Sequence, residues 1–591
     1  NAHAAPWSGS YWNAPAFAPA PSALALSETL LGLTVITTPL QWLGATPLVA
    51  YNTLFVVTPW LNGVCAYALC RSLTGRRDAA FIGGLYFMLA PYRAAQLPHV
   101  QTLATFYMPL ALLALHAYWR SGRGRWLAWL FVATVLNGLV SGYHLVYFGL
   151  LLGFVLIWMA ASRAESQRLA LAVVTLAAAA AALLPVLLPY RQIHERWDLH
   201  RNIGEMVSFS ADLASITAAA PALWLKPLPK LIDKPEADVY PGLALLACLL
   251  AGVVAWRRHP QPASTSPAVP AWTRSLRRLL AAVAVVAGTT ALVGLVGGPF
   301  GIDLGPLRVS VTSLNKPIGT ALSALLVITA LSPRVWWSAQ RGSLVGLYLA
   351  VLIASTILML GPEGQVMDTR FWYKAPFAWL LELPGFDTVR VPARWATIQV
   401  LAASVLAAIA VKTWRPRPGD ARSRLAVVVV AAAIVADGWY TLPVVAPPAP
   451  LTAPVTADLV VELPTHGWVE DVAAMYRGMW HGRPVVNGYS GYGPPHYAYL
   501  SADLQAGCLD SLEAVRRGRS LDIVIHTDAE DGEQLRAAVF RRWPDAPNTV
   551  AGPLIIHHVS RDGDAAGTAY DDPIDLSRHC EATRLAAAAG R

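Results

Sequence analysis

Charge is scarce in this chain. Lys, Arg, Asp and Glu make up 14% of its 591 residues, against roughly 25% in soluble domains, which excludes a single soluble core of this length. Acid is scarcest near the start, where Glu28 is the only acidic residue before Asp78. The five cysteines do not make a disulfide scaffold. Cys65, Cys70 and Cys248 fall inside apolar runs as small buried thiols, while Cys508 and Cys580 lie in a more polar C-terminal region, where an oxidising compartment would allow them to pair. There is no P-loop, no CxxC and no GxSxG, so nothing supports an ATPase, a thiol redox enzyme or a hydrolase built on those motifs. His194, Glu195 and His200 lack the four-residue histidine spacing of a zinc helix, and no residue is assigned to a metal.

What the chain has instead is apolar length. It is 55% hydrophobic with mean hydropathy +0.45. A hydrocarbon core about 30 Å thick needs about 20 apolar residues per helix, fewer inside a bundle. Twelve spans are predicted near 48–70, 79–91, 102–118, 126–141, 144–161, 169–189, 240–256, 279–299, 318–333, 343–360, 395–411 and 425–444. Six basic, nearly acid-free loops alternate with them: Arg71 to Arg77, Arg120 to Arg125, Arg163 and Arg168, Arg257 to Arg278, Arg334 to Arg341, and Lys412 to Arg424. By the positive-inside rule these face the cytoplasm, and the loops between them, which carry the acids, histidines and aromatic-polar clusters, face outward. The net charge of +9 is therefore a topological signal and not a nucleic-acid footprint. The expected location is the cell inner (plasma) membrane, crossed many times.

The expected fold is mostly α: a polytopic helix bundle over 1–445 and a small extracytoplasmic α/β domain over 446–591. Beyond Pro447, Pro448 and Pro450 the apolar runs shorten to strand length, as in Asp458–Leu463 and Leu521–His526, bounded by turn residues. Residues 24–44 are apolar, but a crossing there would upset the parity of the basic loops, so a re-entrant or interfacial helix is expected. The non-Met start and Pro/Ala-rich residues 1–23 are read as a fragment lacking one upstream span.

Five constellations are weighed for candidate chemistry. In the turn Pro91-Tyr92-Arg93 to His99-Val100-Gln101, an Arg fork and a His donor at a membrane boundary suit a phosphate. Glu28 near the bilayer surface is a candidate general base, with a helix-start role as the plain alternative. Arg390 and Arg394, after Leu383-Pro384-Gly385-Phe386, suit an anionic headgroup or diphosphate. The long loop from Arg191 onward mixes charges of both signs, the pattern of a solvated helix. In the C-terminal region, Asn487-Gly488-Tyr489-Ser490-Gly491 reads as a sugar- or headgroup-facing loop, with turn structure as the alternative.

These residues, with Ser27-Glu28-Thr29-Leu30-Leu31-Gly32 and Ser210-Ala211-Asp212-Leu213, occur in an order that resembles bacterial GT-C type membrane glycosyltransferases, including YfhO-like and mannosyltransferase-like membrane proteins. The resemblance implies an inverting transferase that takes a sugar from a polyprenyl-phosphate donor and passes it to a glycan, lipid or protein acceptor at the outer face. It also implies an Asp base in the first outer loop, which this sequence lacks. Glu28 is then the catalytic candidate, with Tyr92, Arg93, His99, Gln101, Arg191, Arg390 and Arg394 facing substrate. Membrane lipids are the surroundings, and the cofactor stays open between none and a divalent cation. Two other classes compete: a lipid or polysaccharide transporter, which should carry mid-span charges that are few here, and a non-catalytic envelope assembly protein.

The topology is directly testable. In intact cells, single cysteines at Ser121 and Ser423 should resist a membrane-impermeant thiol reagent while one at Ser490 labels, and labelling at Ser121 from outside would reverse the orientation.

Overall fold

The computed structural model describes residues 9–581 apart from 163–164, 259–270, 299, 305–306, 312, 333–339, 384, 415–420, 466, 564–573 and 578. Arg163, Arg334 and Pro384, and parts of the third to sixth basic loops, therefore lie outside the described residues. The chain divides into two units: residues 30–183 with 200–443, and residues 1–29 with 184–199 and 444–591.

The first unit is helical. Among the described residues, six helices are long and apolar enough to cross a membrane: Pro47–Thr74, Val100–Ser121, Gly142–Ala161, Ser166–Trp197, Trp272–Gly294 and Pro392–Trp414. Every segment expected to span contains a helix, but Arg125–Val140 and Leu344–Leu358 are shorter apolar helices, and Arg77–Leu89 has only 13 residues, about 20 Å of rise. The Pro47–Thr74 helix shows why these runs form. Thr46 caps its first turn by accepting from the Val49 N–H, Pro occupies an early position that needs no donor, and Gly75 ends it at φ 75°. The most buried spans are Val100–Ser121 and Pro392–Trp414. The Arg77–Leu89 helix packs closely against the latter: a Cβ at Gly83 would come within 2.7 Å of Cys70 Sγ and 2.9 Å of the Ser404 carbonyl, the close backbone approach that small residues permit between apolar helices.

Residues 24–44 do not form the single helix expected. Two 3-10 turns, Ala23–Leu26 and Leu31–Leu33, precede the nine-residue helix Thr34–Trp42. Leu30 at φ 55° breaks the run. Gly32 packs so tightly on the Arg125–Val140 helix that a Cβ would lie 2.2 Å from the Leu136 carbonyl, and the Tyr107 hydroxyl donates to the Gly32 carbonyl at 3.0 Å.

The second unit is α/β. Leu459–Leu463 pairs in parallel with Leu521–His526, which pairs antiparallel with Leu554–Val559, and Asn548–Ala551 closes the edge. Alternation puts Leu459, Val461, Leu463, Leu521, Ile523 and Ile525 into one core. Residues 15–18 run beside this sheet, Ala18 N–H donating to the Val485 carbonyl at 2.9 Å and Phe17 N–H to that of Asn487 at 3.1 Å. Cys508 and Cys580 form a disulfide.

The opposite sheet face buries charge. Glu462 and Arg477 are both buried, joined through Arg477 Nε to Glu462 Oε1 and Oε2 at 3.0 and 2.9 Å, and His526 Nε2 lies 3.0 Å from Glu462 Oε2. Burial pushes the Glu462 carboxyl up, but hydrogen bonds from His526 and Arg477 and their charges outweigh it and hold the group below the usual carboxylate range. Asn487 joins on, accepting from the Glu462 N–H at 2.8 Å and donating to Asp471 at 3.1 Å, and the Tyr497 hydroxyl donates to Asp471 at 2.7 Å.

Removing one partner of such a pair leaves an uncompensated buried charge. Arg477→Met should destabilise this unit by about 3–5 kcal/mol, read as protease resistance of residues 444–591 within the full chain against temperature. Because the folded pKa of Glu462 is depressed, its contribution is present above the unfolded value near about 4.3 and is lost as pH falls through the folded value. The variant's deficit should therefore shrink in acid, and a deficit independent of pH would remove Glu462 from the account.

Candidate functional site

One group of polar side chains in the helical unit centres on the buried Arg394. This residue sits in the 3-10 turn Pro392–Trp395, which runs directly into the Ala396–Trp414 helix. Its guanidinium grips Glu236 in a two-pronged pair, Nε to Oε2 at 2.7 Å and Nη2 to Oε1 at 3.0 Å, and lies over the Tyr143 ring at 4.5 Å from its centroid. Such a fork fixes direction as well as charge. Glu236 holds the left-handed backbone, φ 58°, a conformation uncommon outside glycine and one that persists where the surroundings enforce it.

His99 stands at the edge of this pair, with Nε2 3.9 Å from Glu236 Oε1, too far for a hydrogen bond but within strong electrostatic range. Burial, aided by Arg394 and Arg390, lowers the imidazole pKa despite the neighbouring carboxylate, which favours the neutral ring. For Glu236 the balance runs the other way: burial raises its pKa, and Arg394, with His99 and Arg390, more than reverses that. The result is a carboxylate beside a neutral imidazole. His99 Nδ1, the Gln96 amide and both ring nitrogens of His144 are buried without a hydrogen-bond partner among the described residues. Buried polar atoms of this kind are rare and costly. Tyr143, His144, Tyr147, Arg394, Thr102 and Thr397 line a small cavity here. Tyr147 is itself fixed, stacked on Trp395 at 4.3 Å and donating to the Val391 carbonyl at 3.0 Å.

The candidates read from sequence divide between the two units. Tyr92, Arg93, His99, Gln101, Arg390 and Arg394 belong to the helical unit, and Glu28 and Arg191 to the other. Tyr92 and Arg93 are buried, and Gln101 is half-buried. Arg93 braces its own turn: Nε donates to the Phe87 carbonyl at 2.6 Å, Nη1 to that of Leu103 at 3.1 Å and Nη2 to Thr105 Oγ1 at 3.1 Å. Asn62 locks the same loop, donating to the Leu103 carbonyl at 2.7 Å and accepting from the Thr105 N–H at 3.1 Å. Arg390 is more open, over the Phe209 ring at 4.8 Å and 3.9 Å from Glu205. Arg191 forms an exposed pair with Glu195 at 2.7 Å. Glu28 does not start a helix. It follows Ser27, which is extended, beside Thr29, whose N–H donates to the Tyr190 hydroxyl at 3.1 Å.

Sequence reasoning missed Glu236, Gln96, Tyr143 and His144. Glu236 is one of three acids, with Asp233 and Asp238, just ahead of the apolar run that begins near Tyr240, and nothing in the sequence sets it apart from the other two. Among the described residues the one grouping of three metal-type ligands is Cys508, Asp510 and Cys580, and its two sulfurs are joined in the disulfide.

Comparison with known proteins adds little about chemistry. Residues 32–303 match the family model described as Domain of unknown function (DUF6311), a stretch that holds His99, Glu205 and Glu236 but neither Arg390 nor Arg394. No curated protein and no solved structure matches the chain.

Proposed function

We propose that this protein is an inverting membrane glycosyltransferase that moves a sugar from a polyprenyl-phosphate donor to an acceptor at the outer face of the inner membrane, with the α/β unit outside the cytoplasm. The observation that carries the reading is the half-buried His99, its Nδ1 atom buried and without a partner among the described residues, beside the Glu236 carboxylate and within the field of Arg390 and Arg394. Transfer from a lipid phosphate needs one group to take a proton and cations to receive the departing anion. In the proposed step the acceptor oxygen bonds to the anomeric carbon as the bond from that carbon to the phosphate oxygen breaks. The hydroxyl proton passes to His99 Nδ1, the bonding pair leaves with the phosphate, and Glu236 steadies the imidazolium. Arg390 is the cation for the phosphate, because Arg394 is committed to Glu236. The disulfide in the α/β unit supports an oxidising compartment for that unit, and the alternating basic loops support twelve crossings. Glu28 remains the competing base.

A non-catalytic assembly protein is the second reading, favoured by the way Arg93 and Arg394 spend their donors on the protein itself. The test uses radiolabelled polyprenyl-phosphate sugars in proteoliposomes. His99→Ala should cut transfer by about 100- to 10,000-fold, the usual worth of a general base, with donor binding retained. Arg390→Ala should weaken donor binding by the about 1.5–3 kcal/mol of a charged hydrogen bond. Full activity in His99→Ala with loss in Glu28→Gln would move the base to Glu28. No transfer by wild type from any donor would favour the assembly reading.

A further inference from the structure

The Trp468–His481 helix of the α/β unit is amphipathic the wrong way round for a water-facing domain. Its inward face carries Asp471 and Arg477, both buried, in the network with Glu462, Asn487 and Tyr497. Its outward face carries Trp468, 62% exposed, Val469, Val472, Met479 and Trp480, 53% exposed, and Tyr489 from the adjoining loop adds to it, also exposed. The Trp468 and Tyr489 rings lie 6.2 Å apart. At 100° per residue, positions 468, 472 and 479 fall on one stripe, with 469 and 480 along its flank, so the exposure belongs to a continuous face rather than to scattered side chains.

We propose that this face is a membrane-interface anchor, and that its occupant is the headgroup and upper acyl region of a phospholipid bilayer. Three observations favour lipid. Two tryptophans and a tyrosine with Met and Val make the composition that settles at the water–hydrocarbon boundary, rings apolar on one side and able to hydrogen-bond on the other. The exposed Arg483, just past the helix, suits an anionic headgroup. The chain enters this unit from apolar helices, through 184–199 at the end of Ser166–Trp197 and again after Ala421–Gly438, so a bilayer is always within reach. A second copy fits less well. The two half-exposed tryptophans and Tyr489, each presenting on the order of 100 Å², with Val469, Val472 and Met479 make a face of roughly several hundred Å², short of the about 800 Å² per partner of a stable protein interface. The inverted burial also gives the network a purpose, since the ion pair inside lets the helix turn its apolar side out.

The experiment uses the full chain, reconstituted into phosphatidylethanolamine–phosphatidylglycerol vesicles containing a radiolabelled phospholipid. p-Benzoylphenylalanine is placed at Val472, at Trp480 or, as a control, at Val550, an exposed strand position of the same unit. Irradiation should give lipid adducts at 472 and 480 and only background at 550, and Val472→Glu should abolish the adduct from 480 while residues 444–591 keep their resistance to protease, which reports a folded unit. Adducts from 480 at the level of 550, or crosslinks from 480 into a second copy, would overturn the proposal.

Discussion

The Arg394–Glu236 pair is the constraint on which the helical unit's polar centre depends. It joins the loop ahead of the Leu243–Arg258 helix to the first turn of one of the most buried spans, over a separation of 158 residues. Two charges taken out of water lose their hydration, a cost offset only where each is met at close range, so the pair must form for either residue to be where it is. Once formed it fixes the Tyr143 ring under the guanidinium, and it holds the Glu236 backbone in a left-handed conformation that an acidic side chain rarely adopts. His99 inherits its properties from this arrangement. A half-buried imidazole beside a lone carboxylate would be drawn toward the charged form. Here the cations cancel that pull, and desolvation decides the outcome.

The same device occurs independently in the α/β unit. There Glu462 and Arg477 neutralise one another beneath a helix that turns its aromatic side outward. In both places a buried ion pair costs desolvation that an apolar pair would not, which makes it weak support for stability but effective at specifying geometry. In the helical unit the geometry specified is that of a small cavity beside the Arg394 guanidinium. In the α/β unit it is the direction in which a helix faces, an orientation that hydrophobic burial alone would have reversed.

How much of this was legible follows from the range over which each feature is encoded. Apolar runs gave the helices, and turn residues around Asp458–Leu463 and Leu521–His526 marked two strands that pair in parallel, because hydropathy and turn chemistry are local. The turn from Tyr92 to Gln101 stood out for its mixture of Arg, His and Gln in an apolar setting. What could not be read were the partners. Nothing near Glu236 names Arg394, and the periodicity of Trp468–His481 shows that the helix has two faces without telling which one is buried. The 24–44 segment failed for a related reason. Its composition is apolar throughout, and the break comes at Leu30, φ 55°, two residues before Gly32, whose close approach to the Leu136 carbonyl is a contact made more than a hundred residues away.

The arginines illustrate how burial separates candidates that composition treats alike. Arg93, Arg390 and Arg394 all lie near span ends, and each is equally suited by chemistry to a phosphate. Arg93 gives its donors to two backbone carbonyls and a threonine hydroxyl, so taking up an anion would require breaking the turn that it braces. Arg394 would have to release a carboxylate held at 2.7 Å. Arg390 has only a 3.9 Å contact with Glu205 and an aromatic face beneath it. An anion arriving from the membrane boundary would exchange a weak interaction for a strong one at Arg390 alone. The two buried arginines are better regarded as the frame that sets the local potential, with Arg390 as the charge free enough to answer it.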